Sequence, residues 1–171
     1  NKKTIKNINY ESCKIARNLN FLDFKSENLR SEEVSNLASI IATNNKLREI
    51  MNFKQKQFVE NNKKKFGGCI LDGRDIGTKI LPNADFKFFI NASIEIRAKR
   101  RLLEKNISFL HENDEKCMLQ SLINDMNDRD RLDSTRLDAP LVPAKGAYII
   151  DTSKINANEL LEKVSKIIER T

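Results

Sequence analysis

The spacing of apolar residues predicts that the first third of the chain is largely helical. Residues 10–19 favour a short helix, and a further helix is predicted from about residue 45 to residue 61. Between them, Ser31 precedes two glutamates and has the form of an N-cap followed by an acidic first turn. The apolar residues behind this cap fall on one helical face, namely Val34, Leu37, Ala38 and Ile41. The stretch FLDF at 21–24 is a candidate short strand.

After residue 65, short apolar strands alternate with helices. The predicted strands are 68–72, 86–90 and 147–151, and the predicted helices are 93–105, 116–131 and a last one that follows Asn156. Asn156 and Glu159 form an Asn-capped relative of the capping box, and apolar residues repeat behind them with helical spacing. Apolar strands that are separated by helices indicate a parallel sheet covered on both faces. The predicted fold class is therefore α/β, with a small sheet.

Length and composition fit one domain with a hydrophobic core. The chain has 171 residues, of which 39% are hydrophobic and 32% charged. No stretch approaches the roughly 20 apolar residues that span a bilayer, and the first residues lack the apolar core of a signal peptide. Three distant cysteines and a single histidine, His111, do not have the spacing of a zinc site. We expect reduced thiols, a cytoplasmic location and no membrane partner.

The net charge of +7 raises the hypothesis of a nucleic-acid-binding protein. Its weight is reduced because the chain is rich in Asn, Lys and Ile, which AT-rich coding sequences produce whatever the function. The densest basic run, at 63–65, is predicted at a solvated helix end and has Phe66 beside it. It lacks the aromatic ladder on which bases stack. We therefore expect no long nucleic acid as a partner.

A first charged cluster follows the predicted strand at 68–72. The segment LDGRDIGTKILP, residues 71–82, places Asp72, Arg74 and Asp75 in near succession. Ligands collect at the carboxyl ends of strands in α/β proteins, so this cluster is either a salt-bridged turn or a binding site. The segment alone does not decide between the two.

Two further clusters contain arginines in a helical context. In NDRDRLDSTR, residues 127–136, the spacing of Arg129, Asp133 and Arg136 places them in one stripe if the helix continues. In SIEIRAKRR, residues 93–101, basic residues crowd the second half of the predicted helix, where they also suit the helix dipole. Each cluster alone has an ordinary explanation as a solvated helix face with ion pairs. Together, a carboxylate and several arginines near one sheet edge are the parts that phosphoryl transfer needs.

Four segments, in their order along the chain, resemble the bacterial cytidylate kinases. They are LRSEEVSNLAS with Lys46-Leu47-Arg48, DGRDIGTKILPNADFKFFINASIEIRAKRR, RDRLDSTRLDAPLVPA and IIDTS. The resemblance covers nearly the whole chain from about residue 10. It implies the P-loop nucleoside monophosphate kinase fold and transfer of the γ-phosphoryl group of ATP, with Mg²⁺, to CMP or dCMP. The implied partners are these nucleotides, and we expect a monomer.

The resemblance assigns contacts with the base and the acceptor phosphate. Ser39 and Arg48 are similar to the family's base-contacting residues, with Asp75 as their partner from the core. Arg74 and Arg136 match arginines that hold the acceptor phosphate. These five residues are therefore the expected contacts of the base and the acceptor phosphate of CMP.

The remaining assignments concern the ribose, the metal and ATP. Arg129 and Asp133 match residues near the ribose hydroxyls, and Asp72 matches a Walker-B-type carboxylate that supports the Mg²⁺ shell. A lid at about 102–131 would close over ATP and exclude water. The arginines that begin this lid are Arg97, Arg100 and Arg101. The expected domains are a nucleoside monophosphate-binding region at 1–65, a core at 66–101 and 132–171, and the lid at 102–131.

The phosphate loop of the family is not found in this sequence. Such kinases begin with a strand and a glycine-rich loop of the form G-x-x-x-x-G-K-[ST], which holds the ATP phosphates. None of the five glycines is followed by Lys-Ser or Lys-Thr, and Asn1 corresponds to a position past that loop. We expect a truncated or partly represented kinase, inactive as it stands, rather than a gene product that has lost its ATP loop. The alternative hypotheses are a catalytically inactive remnant, a basic nucleic-acid-binding protein, or a kinase of UMP or AMP.

Overall fold

The computed structural model describes residues 2–19, 32–104, 111–135 and 140–170. The chain divides into two compact units, Asn1–Ile70 and Leu71–Thr171. Across the described ranges, no helix combines the length and the apolar character that a membrane crossing requires.

The first unit consists of three helices in its described residues: α1 (Lys2–Asn18), α2 (Glu32–Ile41) and α3 (Asn45–Phe66). The helix predicted at 10–19 is therefore longer at its N-terminal end, while Ser31 and the candidate strand at 21–24 lie outside the described residues. The start of α3 is defined by Asn44, whose side chain accepts hydrogen bonds from the backbone N–H groups of the next turn. The basic run at 63–65 lies in the last turn of α3 and is exposed, as predicted.

The core of the first unit lies between α1 and α3. Cys13, Ala16 and Leu47 are buried there. The partly buried residues that pack against them are Ile41, Ile50 and Met51. Within the predicted apolar face of α2, Val34 is 37% exposed and Leu37 is 51% exposed. Ile41, at the end of the same face, packs against this core.

The second unit contains a pair of parallel strands, β1 (Phe88–Asn91) and β2 (Tyr148–Asp151). Phe88 is paired with Tyr148 and Asn91 with Asp151, so the two strands end at the same edge. The helices of this unit are α4 (Ile94–Glu104), α5 (Glu112–Ser134) and α6 (Ala157–Glu169). The predicted strands at 86–90 and 147–151 and the predicted parallel pairing are confirmed, with small shifts of the strand bounds.

The prediction of a strand at 68–72 is wrong. These residues form no strand in the structure, and Ile70 is 97% exposed. Immediately before them, α3 ends at Gly67, whose φ of 78° is the left-handed conformation that glycine favours. A strand needs a neighbour that pairs its backbone N–H and C=O groups, and within the described residues only β1 and β2 pair. Apolar sequence alone therefore does not make a strand here.

Helix α5 is longer than the predicted 116–131 at both ends. Its first turn contains three acidic residues, which favour a helix N-terminus electrostatically: Glu112, Asp114 and Glu115. It continues to Ser134, so Arg129 and Asp133 lie on one helix. Between α4 and α5 the core is built on the buried residues Ala98, Leu102 and Leu122.

Helix α6 begins with the predicted capping box. The side chain of Asn156 accepts hydrogen bonds from the backbone N–H groups of Asn158 and Glu159, at 2.9 and 3.0 Å. The Glu159 carboxylate in turn accepts a hydrogen bond from the backbone N–H of Asn156 at 2.7 Å. This reciprocal arrangement satisfies donors that a helix start otherwise leaves unpaired.

Candidate functional site

The carboxyl ends of the two strands are held together by hydrogen bonds that continue beyond the sheet. The backbone N–H of Thr152 donates to the carbonyl oxygen of Asn91 at 2.7 Å. The backbone N–H of Ser93 donates to the hydroxyl of Ser153 at 2.9 Å. The segments that follow β1 and β2 are therefore fixed against each other at the edge where ligands bind in parallel sheets.

Asp151, the last residue of β2, is held in its ionised form by Ser153. The backbone N–H of Ser153 donates to the Asp151 carboxylate at 2.8 Å. The hydroxyl and then the backbone N–H of Ser153 hold the pKa of Asp151 below its usual value of 3.8. This carboxylate thus adds negative charge to the sheet edge at neutral pH.

The charged residues of two sequence clusters meet in an ion pair between Arg74 and Asp133. The Nε of Arg74 donates to Oδ2 of Asp133. Asp133 lies in the last turn of α5 and is 1% exposed, whereas the side chain of Arg74 remains 38% exposed. The backbone carbonyl of Asp133 also accepts a hydrogen bond from the N–H of Leu141 at 2.9 Å. One end of the arginine is thus held in the protein interior while the side chain still reaches solvent.

A short π-helix at Ile76–Ile80 holds the loop that carries Arg74. It begins after Asp75, whose carbonyl accepts hydrogen bonds from the N–H groups of Lys79 and Ile80, at 2.9 and 3.2 Å. Ile80 is 2% exposed and anchors this turn.

Two glycines allow close contacts of this loop. A Cβ at Gly73 would lie 2.9 Å from Cγ1 of Ile76, and a Cβ at Gly77 would lie 3.1 Å from Cβ of Ala144. Larger side chains would force either neighbour to move. The loop therefore folds tightly upon itself and packs against the segment that follows α5.

Arg97 connects α4 with α5. Its Nε donates to the carbonyl oxygen of Ala92 at 3.1 Å, and a terminal nitrogen donates to Oδ2 of Asp130 at 2.6 Å. The side chains of Arg97 and Asp130 are 32% and 31% exposed, so water screens this ion pair in part.

Arg100 and Arg101 make different contacts although they are adjacent in α4. The terminal nitrogens of Arg100 donate to the hydroxyl and carbonyl oxygens of Thr152 and to the carbonyl oxygen of Ile155. Arg101 pairs at 3.1 Å with the exposed carboxylate of Glu104. Arg100 thus binds the loop after β2, while Arg101 makes a local ion pair at the surface.

Comparison with known proteins identifies the family. A family model described as cytidylate kinase matches residues 3–170, which is nearly the whole chain. The chain belongs to the cytidylate kinase family. The family predicted from the ordered motifs is therefore confirmed. The predicted α/β fold class is also confirmed, because the fold of this family is that of the P-loop nucleoside monophosphate kinases.

Individual cytidylate kinases are similar to most of the chain. The cytidylate kinase of Geobacillus sp. (strain WCH70) is 41% identical over 140 residues, which are 82% of this chain and 58% of the relative. That of Mycoplasma genitalium is 37% identical over 164 residues, 96% of this chain and 71% of the relative. That of Bacillus subtilis is 40% identical over 145 residues, 85% of this chain and 60% of the relative. The chain thus spans about three fifths of the Geobacillus and Bacillus relatives.

The residues predicted to contact the cytosine base lie in both units. Ser39 is part of α2 and Arg48 part of α3, where Arg48 is half-buried. Asp75 belongs to the second unit and is half-buried at the start of the π-helix. The assignment of these residues to the base of the nucleotide stays a prediction.

Of three other predicted site residues, two lie in the described part of the chain and one lies outside it. Asp72 is exposed in the loop before Arg74, and Arg129 is exposed on α5. Arg136 lies outside the described residues, so the third member of the predicted stripe stays a prediction.

Sequence reasoning missed two partners of the predicted arginines. Asp130 binds Arg97, and Thr152, which is 4% exposed, binds Arg100. Thr152 lies in the segment IIDTS, which covers the end of β2 and the two residues after it. Its place at the carboxyl end of a predicted parallel strand was a signal that this loop matters. Asp130 had no such signal, because acidic residues also alternate with arginines on ordinary solvated helices.

Proposed function

We propose that this protein transfers the γ-phosphoryl group of ATP to CMP or dCMP, giving CDP or dCDP and ADP, in pyrimidine nucleotide metabolism. The observation that carries the proposal is the family match over residues 3–170, within which the Arg74–Asp133 pair lies. An arginine that is held at one end and reaches solvent at the other is suited to bind an anionic ligand. A role as an inactive remnant or as a nucleic-acid-binding protein has no such support.

The acceptor phosphate of CMP is the proposed ligand of Arg74 and Arg136. The planar guanidinium group can bind two phosphate oxygens at once, which fixes both the charge and the orientation of the phosphate. Arg129 is the proposed contact of the ribose hydroxyls. Orientation of this kind lowers the barrier because the acceptor oxygen is already aligned with the phosphoryl group.

The base is the proposed ligand of Ser39, Arg48 and Asp75. Cytosine donates a hydrogen bond from its N4 amine and accepts at N3 and O2. A carboxylate such as that of Asp75 can accept from N4, while Arg48 and the hydroxyl of a serine can donate to the ring acceptors. Uracil presents the opposite pattern at two of these positions, so this set of residues would select cytosine.

Mg²⁺ is the proposed metal, brought with ATP and supported by Asp72. Mg²⁺ keeps several water ligands in such sites and takes only one or two carboxylates besides the phosphates. An exposed Asp72 fits this supporting role. When bound, the ion neutralises the charge that develops on the transferred group.

The ATP side of the site is proposed to include the lid at 102–131 and Arg97, Arg100 and Arg101. Closure of such a lid excludes water, which would otherwise accept the phosphoryl group. One of the two terminal nitrogens of Arg97 binds Asp130, so this nitrogen would have to exchange the carboxylate for the nucleotide in order to bind phosphate. Arg100 has a further proposed role in fastening the loop after β2.

We further propose a monomer in the cytoplasm, in line with three cysteines that are all free. Free thiols, two of them exposed, are typical of a reducing compartment.

A coupled assay of ADP release tests the proposed function. The full-length gene product is incubated with ATP, Mg²⁺ and one of CMP, dCMP, UMP or AMP. We expect turnover with CMP and dCMP and rates lower by orders of magnitude with UMP and AMP. Equal use of UMP would contradict the base assignment, and no turnover with any of the four would contradict the kinase assignment. Binding of long RNA without turnover would favour the nucleic-acid hypothesis.

A further inference from the structure

We infer that Gly77 is a positioning residue for the loop that carries Arg74 and Asp75. Because Gly77 has no side chain, the π-helix after this loop can approach Ala144 closely. The inference rests on the proposed function, since it takes Arg74 and Asp75 as the contacts of the phosphate and the base. Gly77 does not touch the nucleotide but sets where these two residues lie. Selection of CMP thus depends on a packing contact that involves no polar side chain.

Gly77 lies in a narrow slot between two other segments of the second unit. A Cβ at this position would lie 3.1 Å from Cβ of Ala144 and 3.5 Å from Cγ and Cδ of Lys87. Carbon atoms that are not bonded attract each other best at about 3.5–4.0 Å, so the contact with Ala144 would be repulsive. A methyl group in place of the glycine hydrogen therefore requires that one of the two segments move.

Ala144 is the side of the slot that yields less readily. Its Cβ is bonded directly to the backbone, so rotation of a side chain gives no relief. The carbonyl oxygen of Ala144 accepts a hydrogen bond from the N–H of Ala147 at 3.0 Å. The next residue, Tyr148, donates its backbone N–H to the carbonyl oxygen of Lys87 at 2.8 Å, where the pairing of β1 with β2 begins. A side chain at position 77 would therefore displace the π-helix rather than Ala144.

The π-helix passes such a displacement on to the loop before it. Gly77 is its second residue, and the carbonyl oxygen of Asp75 accepts hydrogen bonds from the N–H groups of Lys79 and Ile80, at 2.9 and 3.2 Å. Ile80 is 2% exposed, so the far end of the π-helix is anchored in the interior. The near end has to take up the shift, and it moves Asp75 and its neighbour Arg74. A misplacement of about 1 Å at groups that orient a substrate can cost about 100-fold in rate.

The test exchanges one methyl group across the contact. Gly77→Ala adds a methyl group to the slot, Ala144→Gly removes one, and the double variant carries both changes, so that the total volume stays constant. Steady-state kinetics of the full-length protein is measured with CMP, UMP and ATP as varied substrates. Gly77→Ala should lower kcat/KM for CMP by about tenfold or more, with a raised KM for CMP and a KM for ATP within about twofold of the unaltered enzyme. The double variant should recover kcat/KM for CMP to within about threefold.

A merely structural contact would give a different result. Loss of folded protein lowers the rate in the same proportion for every substrate, and it changes neither KM nor the ratio of kcat/KM for CMP to that for UMP. Displacement of Asp75 should narrow this ratio, because the contact that is lost is one that only cytosine makes. Ala144→Gly leaves the slot too wide and the loop less ordered, and it should raise KM for CMP by about threefold.

Gly68→Ala is the matched control. A Cβ at Gly68 would meet no atom within 4 Å, and Gly68 is not one of the glycines with a positive φ. The same substitution at this position should leave all the kinetic constants unchanged. Melting curves followed by circular dichroism establish that each variant is folded at the assay temperature.

Three results would overturn the inference. They are unchanged kinetics of Gly77→Ala, a loss that is equal for CMP and UMP at constant KM, and a double variant that is no better than Gly77→Ala or does not fold. If Gly77→Ala alone does not fold, Ala144→Gly and the double variant decide: KM for CMP should be raised in the first and restored in the second, and an unaltered KM in Ala144→Gly would contradict the inference. Failure of the proposed function is recognised separately, because the unaltered enzyme would then show no turnover with CMP.

Discussion

Arg100 and Thr152 are joined by two hydrogen bonds, one to the hydroxyl oxygen at 3.1 Å and one to the carbonyl oxygen at 2.6 Å. Thr152 is 4% exposed, and its own hydroxyl and N–H both donate to the carbonyl oxygen of Asn91. A third bond from Arg100 reaches the carbonyl oxygen of Ile155 at 3.2 Å. Through these contacts α4 is fastened to the ends of both strands.

We therefore predict that Arg100→Ala lowers the free energy of unfolding by about 1–3 kcal/mol, because a buried carbonyl loses its partner. Urea unfolding followed by circular dichroism measures this change. The neighbouring Arg101→Ala is the control, since its pair with Glu104 is at the surface and should contribute no more than about 0.5 kcal/mol. Equal effects of the two substitutions would show that the contacts to Thr152 are not stabilising.

A lysine in place of either proposed phosphate-binding arginine should reduce turnover. Arg74→Lys and Arg136→Lys keep the positive charge but lose the pair of parallel donors, so kcat/KM for CMP should fall by about tenfold or more. Steady-state kinetics with CMP as the varied substrate measures the loss. Arg131→Lys, at a position with a 76% exposed side chain, is the control and should behave like the unaltered enzyme. Unchanged kinetics of Arg136→Lys would show that Arg136 does not bind the acceptor phosphate.

Discrimination between CMP and UMP should depend on Asp75. Sites built on polar pairing reject a mismatched ligand by about 10⁴-fold, because buried polar groups are left unpaired. Asp75→Asn should narrow the gap in kcat/KM between CMP and UMP, since an amide presents either a donor or an acceptor. Asp85→Asn, an exposed position in the same unit, is the control. If Asp75→Asn leaves the CMP-to-UMP ratio unaltered, Asp75 does not read the base.

The stability of the sheet edge should depend on pH through Asp151. Its pKa is lowered in the folded protein, chiefly by the hydrogen bond from the Ser153 hydroxyl. The folded state therefore binds this proton less readily than the unfolded state, whose carboxyl has the usual value of 3.8. The stabilisation is present above that pH and is lost as the pH falls through the lower folded value.

The urea midpoint, measured from about pH 5 down to about pH 2, should fall less steeply for Asp151→Asn than for the unaltered protein. Ser153→Ala should give an intermediate slope, because it removes the hydroxyl and leaves the backbone N–H. Identical pH profiles for all three proteins would exclude Asp151 as a titrating contributor.

Local sequence determined those features that depend on neighbours in the chain. The capping box of α6 needs only Asn156 and Glu159, which are three residues apart, and it formed as expected. The ordered motifs were likewise sufficient to identify the family, because each carries its chemistry within a short segment. The parallel direction of the strands at 86–90 and 147–151 followed from the helices between them.

Tertiary structure decided what depends on distant residues. The run 68–72 is as apolar as a strand, yet pairing needs a second backbone that the run itself does not specify, and Ile70 is exposed. Asp133 has the sequence spacing of a surface residue on a charged helix. In the structure, however, Asp133 is almost wholly buried and is bound by Arg74, which is 59 positions away in the sequence. Burial is a property of the assembled fold, and it turns an ordinary carboxylate into one whose charge must be compensated by a particular arginine.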